Sequence, residues 1–321
     1  MERYQQQIKF LGAKEQEILS RKHVAILGLG ALGSVAAELL TRAGIGHITL
    51  IDHDIVELSN LQRQSLYDES DLSKSKAISA FEKLQKINAE VTFIVSAQHI
   101  TEENAQLLKA DIVLDCTDNL KARFVINNYC KQNDIPWVHA AAAGSIGTVL
   151  PVSNSYCFHC IFSNSKESMT CDNAGILNTV AHTTASIQVT EAIKILLDKP
   201  HAHLIRFNLW NNTFENIRVK KNPDCAVCNN KQITNGAEGL FTLLSCKTRA
   251  TCSTMPNNNL SLNLNKIKEK YETVLETPVA IIIKEQNVEI VVHNYGKLVF
   301  RQCSDEKKIK RMAREIYEFG C

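Results

Sequence analysis

Residues 23–27 (HVAIL) are apolar except for His23, too short a run for a helix, and predict a strand buried within a parallel sheet. A tight turn over 28–33 (GLGALG) and a helix over 34–43 follow, with Gly44 at the position that ends a helix. The next short run, 47–51 (HITLI), predicts a second strand with Asp52 at its C-terminal end, completing a βαβ unit. Residues 74–88 place Ala77, Ile78, Phe81, Leu84 and Ile87 at helical spacing. Beyond them the pattern predicts strands at 91–95, 111–115 and 137–140, and helices at 101–108, 122–130 and 179–197, with Pro200 just past the last. Two runs split by Asn211 and Asn212, 204–209 and 213–219, predict a hairpin. Strands alternating with helices give an α/β class with a parallel, doubly wound, Rossmann-like sheet.

The pattern changes after Cys228. Residues 229–239 are polar with two glycines and read as a linker. Strands at 278–283, 288–292 and 298–301, a turn at 294–296 and a helix at 306–319 predict a small C-terminal α+β domain. The expected organisation is a domain over 1–230 and an extension over 231–321.

Across its 321 residues the chain is 45% hydrophobic and 22% charged, enough apolar material for a large core. A formal net charge of +2 gives no electrostatic case for nucleic acid or membrane. No apolar run approaches the ~18 residues of a membrane span and the N-terminus lacks a signal pattern, so a cytoplasmic protein is expected. In that compartment paired cysteines are more often metal ligands than disulfides, and four of the eleven cysteines form two CxxC pairs.

Gly28, Gly30 and Gly33 follow a strand and open a helix, the context in which backbone N–H groups and a helix N-terminus receive a phosphate. Asp52 stands where an acid binds ribose hydroxyls. The same loop also serves as a packing turn, and it does not separate NAD from ATP. The following run, DHDIVELSNLQRQ over 52–64, and Lys76 favour ATP. Nucleotidyl transfer gathers negative charge on phosphate, which Arg63 and Lys76 can neutralise while Asn60 and Gln62 supply neutral hydrogen bonds. A solvated basic stretch accounts equally well for any single lysine here. Asp118, in DCTDN at the end of a predicted strand, suits Mg²⁺ or serves as the N-cap of the next helix. Cys157, Cys160, Cys225 and Cys228 complete a closed tetrahedral site for structural Zn²⁺. Neither CxxC pair shows the helix-preceding context of a redox motif. Cys171 is a nucleophile only if its environment lowers its pKa, and otherwise a passive loop thiol.

Together, GLGALG, DHDIVELSNLQRQ, LDCTDN and the two CxxC pairs, in this order over residues 1–230, resemble the E1-like adenylyltransferase family (the ThiF/MoeB/HesA group), most of all its thiamine-type members. The resemblance implies a nucleotide loop lined by Gly30 and Ala31, ribose on Asp52, and a nucleotide-binding run of Ser59, Asn60, Leu61, Gln62 and Arg63. It implies phosphate contact by Lys76, Mg²⁺ on Asp118 with Asn119 beside it, zinc on the four paired cysteines, and sulfur transfer through Cys171. The implied reaction is ATP-dependent adenylylation of the C-terminal glycine of a ubiquitin-like sulfur carrier ending in Gly-Gly. A sulfur donor protein and a homodimer complete the expectation. Two positions depart from the family pattern. Gln6 stands where an arginine normally reaches the partner's phosphate site, and Ser75 replaces the proline usual before the lysine. The thiamine role has a molybdopterin-type adenylyltransferase as its alternative; Gln6 favours a binding protein without chemistry, Arg3 offers a substitute charge, and an NAD-dependent oxidoreductase is a further alternative.

Overall fold

The computed structural model describes residues 2–152, 156–162, 175–229, 241–246, 251–256, 262–277, 279–301, 303 and 305–320. Its contacts divide the chain into two compact units, Met1–Ile233 and Thr234–Cys321.

The first unit opens with two short helices, α1 (Gln5–Leu11) and α2 (Ala13–Leu19). Strands β1 (His23–Leu27), β2 (His47–Ile51), β3 (Thr92–Ser96), β4 (Ile112–Asp115) and β5 (Trp137–Ala143) then pair in parallel in the order β3-β2-β1-β4-β5. Helices α3 (Gly33–Ala43), α4 (Lys76–Ile87) and α5 (Leu120–Gln132) provide crossovers. The switch in strand order between β1 and β4 opens a crevice at their C-terminal ends.

The sheet is not parallel throughout. Strand β6 (Ile146–Val152) pairs antiparallel with β5, and β7 (Leu204–Asn208) and β8 (Thr213–Ile217) continue in the same sense. Only Gly144 and Ser145 join β5 to β6, and Gly144 has a φ of 59°. Two residues make a hairpin, not a crossover. The sequence reading missed β6 because Gly147 interrupts its apolar pattern. A Cβ there would lie 2.1 Å from Phe207, which packs against that backbone. The helix expected at 101–108 is reduced to a 3₁₀ turn over Ala105–Leu108. Asn104 draws the preceding residues off a helical path by accepting the Thr101 N–H at 2.7 Å.

Helix α6 (Phe158–Phe162) precedes the long α7 (Asn178–Leu196). One sheet face buries Ile26, Leu50 and Val138 against α3, α4 and α7; the other buries Trp137, Leu150 and Ile126 with α5 and α6. The doubly wound expectation therefore holds for this unit. On α4 the buried stripe is Ala77, Ala80 and Leu84, while Ile78 is exposed.

The second unit is a six-stranded antiparallel sheet. Its strands are β9 (Phe241–Cys246), β10 (Thr251–Pro256), β11 (Glu272–Glu276), β12 (Ala280–Glu285), β13 (Val288–His293) and β14 (Leu298–Arg301). The order is β11-β12-β13-β14-β10-β9. Helices α8 (Leu264–Lys270) and α9 (Glu306–Gly320) cover a core of Ile281, Ile290, Phe300, Met312 and Tyr317. The α+β class agrees with expectation, but β9, β10, β11 and α8 were not read from the sequence. In β11, exposed and half-buried positions alternate over only five residues, but the residue types (ETVLE) do not follow them, which leaves a weak signal.

Candidate functional site

The site is assembled where β1, β2 and β4 end. Gly28 takes a φ of 88°, and a Cβ there would lie 2.7 Å from the Cys116 carbonyl oxygen. At Gly33 a Cβ would approach the Gly28 carbonyl oxygen to 1.8 Å, so any side chain would force α3 away from the sheet. Gly30 differs, since a Cβ there would meet nothing nearer than Gln64 at 3.8 Å. Two of the three glycines thus serve close packing, and the third keeps the loop open. Ala31 beside it is half-buried, and no side chain caps the N-terminus of α3. An uncapped helix start next to an open loop suits an anion.

Asp52 ties the end of β2 to this loop. Its Oδ2 accepts the Leu29 N–H at 2.6 Å and its Oδ1 accepts the Asp54 N–H at 2.7 Å. Tyr67, buried, bridges the loop to α4: its hydroxyl lies 2.9 Å from the Leu29 carbonyl and 3.2 Å from that of Lys76. Burial, reinforced by Asp52, Asp71 and Asp54, pushes the Tyr67 phenol well above its ordinary pKa, so it remains a donor. Neither Tyr67 nor Asp54 was singled out from the sequence. Tyr67 belongs to no periodic pattern, whereas the second acid of DHD was a usable signal.

Lys76 opens α4 and is 7% exposed, which excludes the solvated-stretch reading for this lysine while Lys74 remains exposed. Its Nζ lies 3.4 Å from Asp54 Oδ2. Burial alone would lower its pKa, but Asp54, Asp52, Asp118 and Glu57 outweigh burial and raise it. A dry ammonium is thereby kept charged. Asp118 is exposed, and no hydrogen bond from a described residue engages its carboxylate. The N-cap of α5 is Asn119, whose Oδ1 accepts the Ala122 N–H at 2.8 Å, so the reading of Asp118 as cap is corrected. With Asn119 filling that role, the oxygens of Asp118 stay available to a hard cation.

In the intervening run, Glu57 and Asn60 form a capping box and Asn60 is buried. Leu61 packs on the core, and Ser59 and Gln62 are exposed. Arg63 donates to the Ser59 carbonyl at 2.8 Å and forms no ion pair among the described residues. The structure thus draws Lys76, Asp52 and Asp118 into one electrostatic cluster, and leaves Arg63 and Gln62 on its own turn. Gln6 is exposed, and Arg3 donates to the Ile87 carbonyl at the end of α4, 2.9 Å away. Cys171 lies outside the described residues.

Ser75 has the φ of a proline, −60°. The antiparallel bridge between Ile55 and Ser75 is made by Val56 N–H to Lys74 and Lys76 N–H to Asp54, which leaves the Ser75 N–H unused. Among the described residues the buried Ser75 hydroxyl has no hydrogen-bond partner either. Ser75→Pro is therefore expected to stabilise the protein by ~0.4–1 kcal/mol and raise Tm by about 1–3 °C in a melting experiment. A lower Tm would show that the serine has a partner.

Cys157 precedes α6, Cys160 lies within it, and Cys225 and Cys228 follow β8. A CxxC pair does therefore open a helix, contrary to the sequence reading, but that helix has five residues and its thiols converge on the second pair. All four sulfurs lie within 4.8 Å of one another, with Cys157–Cys225 at 3.5 Å and Cys160–Cys228 at 3.6 Å. Zinc–thiolate bonds of about 2.3 Å in a tetrahedron set sulfurs about 3.8 Å apart, so the donor set fits Zn²⁺.

Residues 4–227 match the ThiF family. The sulfur carrier protein ThiS adenylyltransferase of Bacillus subtilis is 37% identical over 71% of this chain and 72% of its own length. The molybdopterin-synthase adenylyltransferase of Escherichia coli is 35% identical over 71% of this chain and 96% of its own length. In fold, the chain is similar to E. coli MccB crystallised with ATP, at a TM-score of 0.63 and 23% identity over 71% of this chain and 74% of that one. Among the described residues no helix is long and apolar enough to cross a membrane.

Proposed function

The chain belongs to the ThiF family, and from that premise we propose that it adenylylates the C-terminal glycine of a ubiquitin-like sulfur carrier of the ThiS type. The observation that carries this reading is Lys76. A buried, charged ammonium framed by Asp52, Asp54 and Asp118, beside an open glycine loop, suits a triphosphate and has no use in hydride transfer.

In the proposed reaction a carrier carboxylate oxygen attacks the α-phosphorus of ATP. The bond to the bridging oxygen breaks and pyrophosphate leaves, giving an acyl adenylate with AMP as its later leaving group. Gly30 and Ala31 admit the phosphates, Asp52 orients the ribose, and Ser59, Asn60, Leu61 and Gln62 shape the nucleotide pocket. Lys76 and Arg63 offset the charge that builds on phosphate. Asp118, with Asn119 beside it, holds Mg²⁺, which screens the phosphate oxygens when bound. Zn²⁺ on Cys157, Cys160, Cys225 and Cys228 is structural. A sulfur donor protein then attacks the adenylate and AMP leaves, with Cys171 a candidate for sulfur transfer; residues 1–230 form the adenylylation domain, and the enzyme acts as a homodimer.

Purified protein with ATP, Mg²⁺ and a carrier ending in Gly-Gly should exchange labelled pyrophosphate into ATP. Faster exchange with a ThiS-type than a molybdopterin-type carrier supports the thiamine role, and the reverse order reassigns the pathway. Gln6 favours one rival, a protein that binds carrier or nucleotide without chemistry. Nucleotide binding without exchange for any carrier would establish that rival.

A further inference from the structure

Asp115, wholly buried at the end of β4, has no part in the reaction above. Its Oδ1 accepts the Thr117 N–H at 3.0 Å and the Thr117 hydroxyl at 2.7 Å; its Oδ2 lies 2.6 Å from His139 Nδ1 and 3.5 Å from Arg123 Nε. Burial opposes the charge, but His139, Arg123 and Thr117 outweigh it and hold the carboxyl below its ordinary pKa. The His139 pKa is also lowered, chiefly by burial, so a neutral imidazole donates Nδ1–H to an anionic Asp115.

Neutralising that anion requires one cation nearby and nothing more. Arg123 does a second thing: its Nη2 donates to the Thr117 carbonyl at 2.6 Å. Thr117 is the residue before Asp118. On the other side of Asp118, Asn119 is fixed by capping α5. The turn is thus clamped on both sides, and within it the Asp118 side chain is exposed. A guanidinium can donate to a carbonyl from one nitrogen while another, here Nε at 3.5 Å, forms an ion pair with the carboxylate, whereas an ammonium is a compact point charge on a flexible stem.

We propose that Arg123 is a positioning residue that, through Thr117 and Asp115, fixes the turn presenting Asp118 to the divalent cation and triphosphate. This inference rests on the role given to Asp118 above. Its test compares Arg123→Lys, Arg123→Met and Asp118→Asn by titrating Mn²⁺ in the presence of α,β-methylene ATP, read as free Mn²⁺ by electron paramagnetic resonance. Melting curves and the Mg²⁺ dependence of pyrophosphate exchange accompany the titration.

Arg123→Lys is expected to weaken Mn²⁺ binding by about tenfold and shift the Mg²⁺ half-saturation by a similar factor, the scale of losing a group that orients a metal ligand. Its Tm should stay within about 2 °C of the parent. Arg123→Met should weaken binding at least as much; if it fails to fold, Arg123→Lys decides. Weakened binding in Asp118→Asn but not in Arg123→Lys would overturn this inference and leave the role of Asp118 intact. A lowered Tm with unchanged Mn²⁺ affinity in Arg123→Lys would overturn it in favour of a purely structural arginine. Unchanged binding in Asp118→Asn would overturn both.

Discussion

Lys76→Met should lower the rate of ATP–pyrophosphate exchange by about two to three orders of magnitude, the usual cost of deleting one preorganised group that meets developing charge. The size of the effect follows from burial. Lys76 acts where water is largely excluded, so neither solvent nor Arg63, half-buried and turned toward Ser59, can replace it. Methionine keeps most of the side-chain volume and leaves Asp52, Asp54 and Asp118 without their central cation. Nucleotide affinity should therefore fall together with kcat. A parent-like rate would show that Lys76 is a structural ion pair only.

The pH dependence has a definite sign. The folded pKa of Lys76 is raised, so its contribution to stability is fully present below the ordinary lysine value of about 10.4 and is lost as pH rises through the higher folded value. Lys76 should therefore impose no loss of charge anywhere between pH 6 and about pH 9. A titration seen in that window by pH-dependent exchange must come from another group.

Cys225→Ser should remove bound zinc and destabilise the first unit by several kcal/mol, with a fall in Tm of about 10 °C or more. Cys225 is 2% exposed and its sulfur is 3.5 Å from that of Cys157. Serine would leave three thiolates that must either repel one another or take up protons in a buried setting. The four-sulfur cluster joins α6 to the segment after β8, so its loss should free both from the sheet. Elemental analysis of one zinc per chain in the parent and none in the variant, with parallel melting curves, checks this. A metal-free parent with an unchanged variant Tm would exclude a structural metal.

The glycine fingerprint, Asp52, Lys76 and the cysteine pairs were legible because each is a residue type fixed at a spacing that chemistry demands. The strands β1, β2 and β4 were legible because a buried parallel strand must be apolar along most of its length. By contrast, β6, the strand that joins the β7–β8 hairpin to the parallel strands, was hidden by Gly147 and by an unremarkable link at Gly144 and Ser145. The cap at Asn119 was misassigned to Asp118 because either neighbour can cap a helix, and only backbone geometry chooses between them.

The sequence by itself determined the family, the glycine turn between a strand and a helix, and the two cysteine pairs, since these depend on local spacing and residue chemistry. Tertiary structure decided which charges matter. It buried Lys76 among acids from distant segments, turned Arg63 onto its own backbone, and joined Asp115, Arg123 and His139 around Thr117. The reason is physical. Electrostatic strength depends on distance and on exclusion of water, and folding sets both between residues that lie far apart along the chain.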